Sequence, residues 1–345
     1  MTLDSRWVTA LEREETTPTM KNTDAELRSI SNTGIRVSPV AMGCWPIAGM
    51  TSIDVNEEDS LKTLQSAFDS GINFFDTAYG YGVDGESERM IANALGNHRQ
   101  QIVIATKCGM HWDQKPERKF DARPNRIKQE CEESLRRLKT DHVELLYLHA
   151  PDLYVPVTES AGALQELVDE GKSRSIGVSN FTVEQLDAFH SVCPISAVQP
   201  AYNMLQRQIE HDVLPWCREH GISVMAYWPL MKGLLAGHLP RDHFFDPKDG
   251  RRKYPMFHGN EWQKNQDFLD RLREVARDAR RTVSQVVINW TIHQPGITVA
   301  LCGAKRAYQI EENAGAMGWK LSSDQFATIE QALKDRGQPI VGSAV

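Results

Sequence analysis

Three things are scarce in this sequence, and each scarcity removes a class of protein. No apolar run approaches the roughly 18 residues that read as a membrane span, and the first residues, MTLDSRWVTALEREETT, lack the apolar core of a signal peptide. Cysteine is sparse and scattered: Cys44, Cys108, Cys131, Cys193, Cys217 and Cys302 form no C-x-x-C pair and no ligand-like spacing with histidine. These read as reduced, mostly structural thiols in a reducing compartment, with no metal site and a cytoplasmic location. Surplus positive charge is also missing. A net charge of -7 argues against a nucleic-acid or anionic-membrane partner, since both call for a basic face. An anionic small molecule stays within reach of a few local Lys and Arg residues.

What is present is ordinary globular composition, 41% hydrophobic and 25% charged over 345 residues. That length suits one large domain or two smaller ones. Short apolar, β-branched runs alternate with longer amphipathic stretches. The strand candidates are residues 39–45, 72–78, 102–107, 143–149, 175–180, 195–203, 222–230 and 297–303. Stretches such as NEEDSLKTLQSAFDSG and NRIKQECEESLRRLKT read as the helices between them. Eight strands alternating with helices predict an α/β fold, a (β/α)8 TIM barrel, within one domain covering 25–345. Three segments depart from the repeat. Residues 1–24 are polar and aperiodic and read as a mobile leader. ELRSISNTGIRVS, 26–38, alternates around Asn32-Thr33-Gly34 and reads as a β-hairpin. Met231 to about Asn260 is a long stretch rich in Gly, Pro and charge, of the kind that is usually functional.

The stretch FFDTAYGYGVDGESE contains G-x-G-x-x-G at Gly80, Gly82 and Gly85. A dinucleotide fingerprint needs its first glycine in the turn closing the first strand, and an acid about 20 residues on. Here four residues intervene after Phe75, and the next strand ends in Lys107, so the glycines read better as a sharp loop around Tyr81. The strand tips say more. In order they carry Asp76, Lys107, His149, Ser179-Asn180, Gln199 and Tyr227, and a TIM barrel gathers such tips at one mouth. The bland alternatives are a structural ion pair, a core histidine and a loop aromatic.

The constellation resembles the aldo-keto reductases over about residues 26–320. Asp76-Thr77-Ala78-Tyr79-Gly80-Tyr81-Gly82 is similar to the family's D-T-A-x-x-Y-G, followed by Gly85-Glu86-Ser87-Glu88. IVIATK, LLYLH, GVSNF at 177–181, QPAYN at 199–203 and GAKRAYQIEEN at 303–313 match in order. The resemblance implies that the 26–38 hairpin closes the barrel bottom. It implies carbonyl reduction with Tyr81 as general acid, the spacing favouring it over Tyr79. Lys107 would lower the phenol pKa, Asp76 would hold Lys107, and His149 would orient the substrate as a neutral imidazole. A nicotinamide dinucleotide is implied, with NADPH favoured. Its expected contacts are Gly43, Cys44 and Trp45 at the end of the first strand; Ser179, Asn180 and Gln199 at the carboxamide; Tyr227 stacked on the ring. Trp228, Pro229, Leu230, Lys232 and Gly233 would follow along the pyrophosphate. Gly303, Ala304, Lys305, Arg306, Gln309, Glu312 and Asn313 would hold the 2′-phosphoadenosine end. Two basic residues in a solvated turn are the alternative for Lys305 and Arg306. Trp228 stands where the family commonly has a small residue. The substrate expected is a small carbonyl compound, with Trp45, Trp112 and Tyr202 at the mouth and a tail after Lys320 too short to favour a large steroid. An NADP-dependent alcohol or sugar dehydrogenase, or a redox-sensing accessory subunit like the potassium-channel β-subunits, stays open, as does homo-oligomerisation.

Overall fold

The short apolar runs become eight parallel strands that close on themselves. The computed structural model describes residues 26–49, 54–113 and 117–340; the expected leader, 1–24, lies outside them. The barrel strands are β1 (Val40–Gly43), β2 (Phe74–Asp76), β3 (Val103–Cys108) and β4 (Leu145–Leu148), followed by β5 (Ile176–Ser179), β6 (Ile195–Gln199), β7 (Ser223–Tyr227) and β8 (Ile297–Gly303). Each pairs with its sequence neighbours, and β8 returns to β1 through Ala300↔Val40 and Gly303↔Gly43. Helices α1 (Glu57–Asp69), α2 (Glu86–Leu95), α3 (Pro124–Leu138), α4 (Val157–Asp169), α5 (Val183–His190) and α6 (Val213–Glu219) follow β1 to β6 in turn. Both α7 (Gly259–Ala279) and α8 (Val283–Ile292) follow β7, while α9 (Ala307–Ala314) and α10 (Ser323–Arg336) follow β8. Among the described residues no helix is long and apolar enough to cross a membrane.

Side chains on a closed sheet alternate between lumen and outer layer. Phe74, Val103, Ala105, Leu145, Tyr147, Ala197, Met225 and Val299 fill the lumen, whereas Phe75, Ile104, Leu146 and Leu148 pack under the helices. Removing a ring such as Phe74 from this lumen would cost about 3–5 kcal/mol. The expected hairpin is present, Arg28–Ser29 with Arg36–Val37, its turn closed by Gly34 at φ 74°. Its Ile30 and Ile35 enter the lumen cluster. Arg28 Nη1 donates to the carbonyl of Ile292 (2.7 Å), at the end of the helix before β8, and to those of Ile297 (3.2 Å) and Thr298 (2.9 Å), at the start of β8. The hairpin therefore plugs the N-terminal end and leaves the strand tips facing the other way.

Two loops at that open end have structure the sequence did not disclose. Met110–Trp112 and Arg118–Phe120 pair antiparallel as a second hairpin, Met110↔Phe120, His111↔Lys119 and Trp112↔Arg118. The long stretch after β7 stays irregular apart from short 3-10 turns at Met231–Ala236, Gly250–Lys253 and Pro255–Phe257. It is pinned by Phe245, edge-on to Phe257 at 5.3 Å and Trp262 at 5.9 Å, and by the Trp262 indole donating to Arg241 O at 2.7 Å.

Candidate active site

The site is one more layer of the lumen. Two residues beyond Phe74, Ala105, Tyr147, Ala197 and Met225 come Asp76, Lys107, His149, Gln199 and Tyr227. The same two-residue period that aims apolar groups inward thus delivers polar ones at the mouth. Ser179 follows Gly177 in the same way; a Cβ at Gly177 would lie 2.3 Å from the Tyr147 ring, so only glycine leaves that ring its place.

Lys107 is the hub. Its Nζ donates to Asp76 Oδ1 at 2.5 Å and Thr77 O at 2.9 Å, and it lies 3.2 Å from Tyr81 OH. Lys107 is 1% and Asp76 2% exposed, so the pair is shielded from water and salt. Burial works against the Lys107 charge, but Asp76 and Tyr81 outweigh it and hold the ammonium above its ordinary range. Gln199 Nε2 caps the other Asp76 oxygen at 2.8 Å. Burial also raises the Tyr81 phenol, and Lys107 only partly offsets it. Lys107 acts on the phenol in the expected direction, downward, but burial is the larger effect and the net shift is upward.

The glycines shape the loop that presents this phenol. Gly82 (φ 101°) and Gly85 (φ 72°) take left-handed conformations around the turn, and Gly85 sits at the N-terminus of α2. Tyr79 turns away. Its hydroxyl donates to Glu133 on α3 at 2.7 Å, with the Arg137 guanidinium 4.3 Å from its ring centre. Trp45 meets Tyr81 edge-on at 5.0 Å, and His149 does so at 5.8 Å. His149 Nδ1 is buried without a partner. Burial, then the charges of Lys107 and Arg118, lower its pKa well below the ordinary histidine value, so the ring is neutral.

Other expected residues arrive with their bonds already committed. Ser179 Oγ donates to Gln199 O (2.7 Å), Asn180 Nδ2 to His149 O (3.1 Å) and Ser179 Oγ (3.0 Å), and Tyr227 OH to Asn180 Oδ1 (2.8 Å). Gly43 lies in register with Asp76 on one side and Gly303 on the other. Cys44 turns inward, wholly buried, its thiol on Met42 O. Tyr202 does not reach the mouth. It is buried outside the lumen, stacked on Trp290 at 5.9 Å with its hydroxyl on Glu210, because three residues past the inward-facing Gln199 it falls on the outer side of the alternation.

From the mouth a cationic track runs to α9. After Tyr227, Trp228, Met231 and Lys232 all have positive φ (61°, 46° and 57°), strain that persists only where surroundings enforce it. Lys232 Nζ lies 4.2 Å from the Trp228 ring centre and 4.8 Å from that of Tyr254. Burial, then Lys253 and Arg118, lower its pKa to about 8. Pro229 and Leu230 complete this turn, and Gly233 N closes it on Leu230 O at 2.9 Å. At α9, Gln309 Oε1 accepts from the backbone N–H groups of Lys305 (2.8 Å) and Arg306 (3.2 Å). Ala304 and Asn313 are buried, and Glu312 Oε2 meets His238 of the long loop at 3.3 Å. Burial, then the neighbouring charges of Arg251 and Arg306, lower the Lys305 ammonium. Cations gathered in this way suit a phosphate-bearing ligand.

The sequence profile of the Aldo/keto reductase family matches residues 39–334. The chain belongs to that family. It is 36% identical over 321 residues to aldo-keto reductase YhdN of Bacillus subtilis, covering 92% of this chain and 96% of the relative. It is 30% identical to the NADH-specific methylglyoxal reductase of Escherichia coli, covering 89% and 97%. Among solved structures, a glycerol dehydrogenase from Gluconobacter oxydans superposes with a TM-score of 0.86 at 33% identity, covering 93% of this chain and 99% of that one. As in the family's barrels, this aldo-keto reductase keeps its strand tips at one end.

Proposed function

We propose that this aldo-keto reductase reduces aldehydes or ketones to alcohols using NADPH, with Tyr81 as the proton donor. The observation that carries the reading is the single ammonium of Lys107, bonded to Asp76 and within 3.2 Å of the Tyr81 hydroxyl. The nicotinamide dinucleotide, when bound, supplies the hydride. As negative charge gathers on the carbonyl oxygen, Tyr81 passes it the phenol proton, and the phenolate left behind faces Lys107. Asp76 fixes Lys107, and Gln199 fixes Asp76. Neutral His149 offers a hydrogen bond to the same oxygen and sets the angle of approach.

The residues fit such a cofactor by their chemistry. Ser179, Asn180 and Gln199 can exchange their mutual bonds for a carboxamide, and the Tyr227 ring lies beside them. Lys232 would meet the pyrophosphate, its ammonium held 4.2 Å from the Trp228 ring. Lys305 and Arg306 favour the 2′-phosphate. One relative is NADH-specific by name, so the preference rests on these two side chains. The same groups run the reverse reaction, and the likeness to a glycerol dehydrogenase makes alcohol oxidation with NADP+ the second reading. A panel of aldehydes, ketones, sugars and polyols assayed with NADPH, NADH and their oxidised forms decides. Faster turnover of carbonyls with NADPH is expected; turnover with NADH alone would overturn the cofactor choice.

A further inference from the structure

The paired segments Met110–Trp112 and Arg118–Phe120 carry an arginine on the face that rests on the loop presenting Tyr81. Residues directly opposite on paired strands share a face, and alternate residues switch faces. Two faces are visible here. His111 meets Glu130 of α3 at 3.2 Å, and its cross-strand partner Lys119 pairs with Asp113 at 3.0 Å. Met110 and Trp112 form the other face. A Cβ at Gly80 would lie 2.8 Å from the Met110 sulfur, and the Trp112 indole donates to Gly80 O at 2.8 Å. That face therefore lies on the loop presenting Tyr81, and Arg118, opposite Trp112, belongs to it. Three groups on separate elements feel its charge: His149 after β4, Lys232 after β7 and Tyr254 in the long loop. Arg118 thus lies on the hairpin face that rests on the Tyr81 loop, opposite Trp112, with its charge directed toward these groups. It is exposed, and among the described residues no carboxylate pairs with it. Its strand neighbour Lys119, by contrast, has one.

An unanswered guanidinium on the Tyr81-loop face, at the same end of the barrel as Lys107 and Lys232, makes that end attractive to anions. Guanidinium binds carboxylate and phosphate oxygens through paired N–H donors, in a geometry that fixes orientation. Resting on the proposed carbonyl reduction, we infer that Arg118 receives an anionic group, carboxylate or phosphate, borne by the substrate at the end away from its carbonyl. The preferred substrates are accordingly carbonyl acids or phosphorylated carbonyl compounds rather than neutral aldehydes.

The test compares 4-carboxybenzaldehyde with 4-methylbenzaldehyde, and glyceraldehyde 3-phosphate with glyceraldehyde, in wild type, Arg118→Gln and Lys119→Gln. The ratio of kcat/KM for each anionic substrate over its neutral partner should fall about tenfold to a hundredfold in Arg118→Gln, mainly through KM. Lys119→Gln should leave both ratios where they were. The pair that responds identifies carboxylate or phosphate. Equal losses for charged and neutral substrates would overturn the inference and make Arg118 a prop for the loop; a parallel loss of NADPH affinity would make it a cofactor contact and overturn it too. Calorimetric titration of the NADPH complex with 4-(hydroxymethyl)benzoate and 4-methylbenzyl alcohol needs no turnover. Tighter binding of the acid, lost in Arg118→Gln, supports the anion site even if no carbonyl is reduced and the reductase reading fails; equal binding of acid and alcohol overturns it.

Discussion

Gln199 and Lys107 hold the two oxygens of Asp76 separately, at 2.8 Å and 2.5 Å. Removing the Gln199 amide strands a buried carboxylate oxygen. Gln199→Leu should therefore destabilise the fold by about 1–3 kcal/mol, read from urea denaturation. No change in midpoint would mean that water or another donor replaces the amide and that the brace is dispensable.

Tyr81 and Tyr79 differ in what they face. Tyr81→Phe should cut turnover by at least about a hundredfold, the scale of a lost general acid, while cofactor affinity holds. Tyr79→Phe removes only the bond to Glu133 on the outer layer and should leave turnover within a few-fold. The reverse pattern would assign the proton to the wrong hydroxyl.

Lys232 should give cofactor binding a pH dependence. Its pKa of about 8 means that the ammonium is present below pH 8 and lost as pH rises through it. A pyrophosphate stabilises the charged form and raises that pKa. NADPH affinity should hold level below pH 8 and decline above it, and binding near pH 9 should take up a proton. Calorimetry in two buffers of different ionisation enthalpy measures the uptake. Flat affinity from pH 7 to 9.5 would remove Lys232 from the cofactor site.

Lys305 and Arg306 should set cofactor choice. Replacing both by alanine should weaken NADPH by a few kcal/mol, since charge-assisted hydrogen bonds each contribute about 1.5–3, with little change for NADH. Equal losses for the two cofactors would point to contacts with the shared adenosine or pyrophosphate instead.

Much of this was legible in the sequence because two-residue periodicity is local. Once Phe74 faces the lumen, Asp76 must, and the same holds from Ala105 to Lys107 and from Ala197 to Gln199. What stayed hidden depends on distant chain segments meeting. The bond from Gln199 to Asp76 spans 123 residues. The 110–120 hairpin has no clean apolar alternation, so the residues facing the mouth could not be told from those facing α3. Tyr202 was misplaced because the alternation was not counted on from Gln199: backbone pairing continues to Tyr227, and position 202 falls on the outer side. The direction of the Tyr81 shift turned on how completely the ring is buried, which spacing does not encode.

The plug at the barrel base also bears on how the chain is made. Arg28 reaches carbonyls 264 to 270 residues further along the chain, so the first described residues dock on the last strand. They leave the ribosome early, yet their seat does not exist until β8 has been synthesised. Until then Ile30 and Ile35 have no lumen to enter, and contacts of such long sequence separation form slowly. Arg28→Ala should slow the final refolding phase and lower amide-exchange protection at the barrel base, with the arrangement of Asp76, Tyr81, Lys107 and His149 intact; unchanged protection there would mean that the isoleucines alone secure the seal. Closing the base is thus a signal that translation has passed the eighth strand.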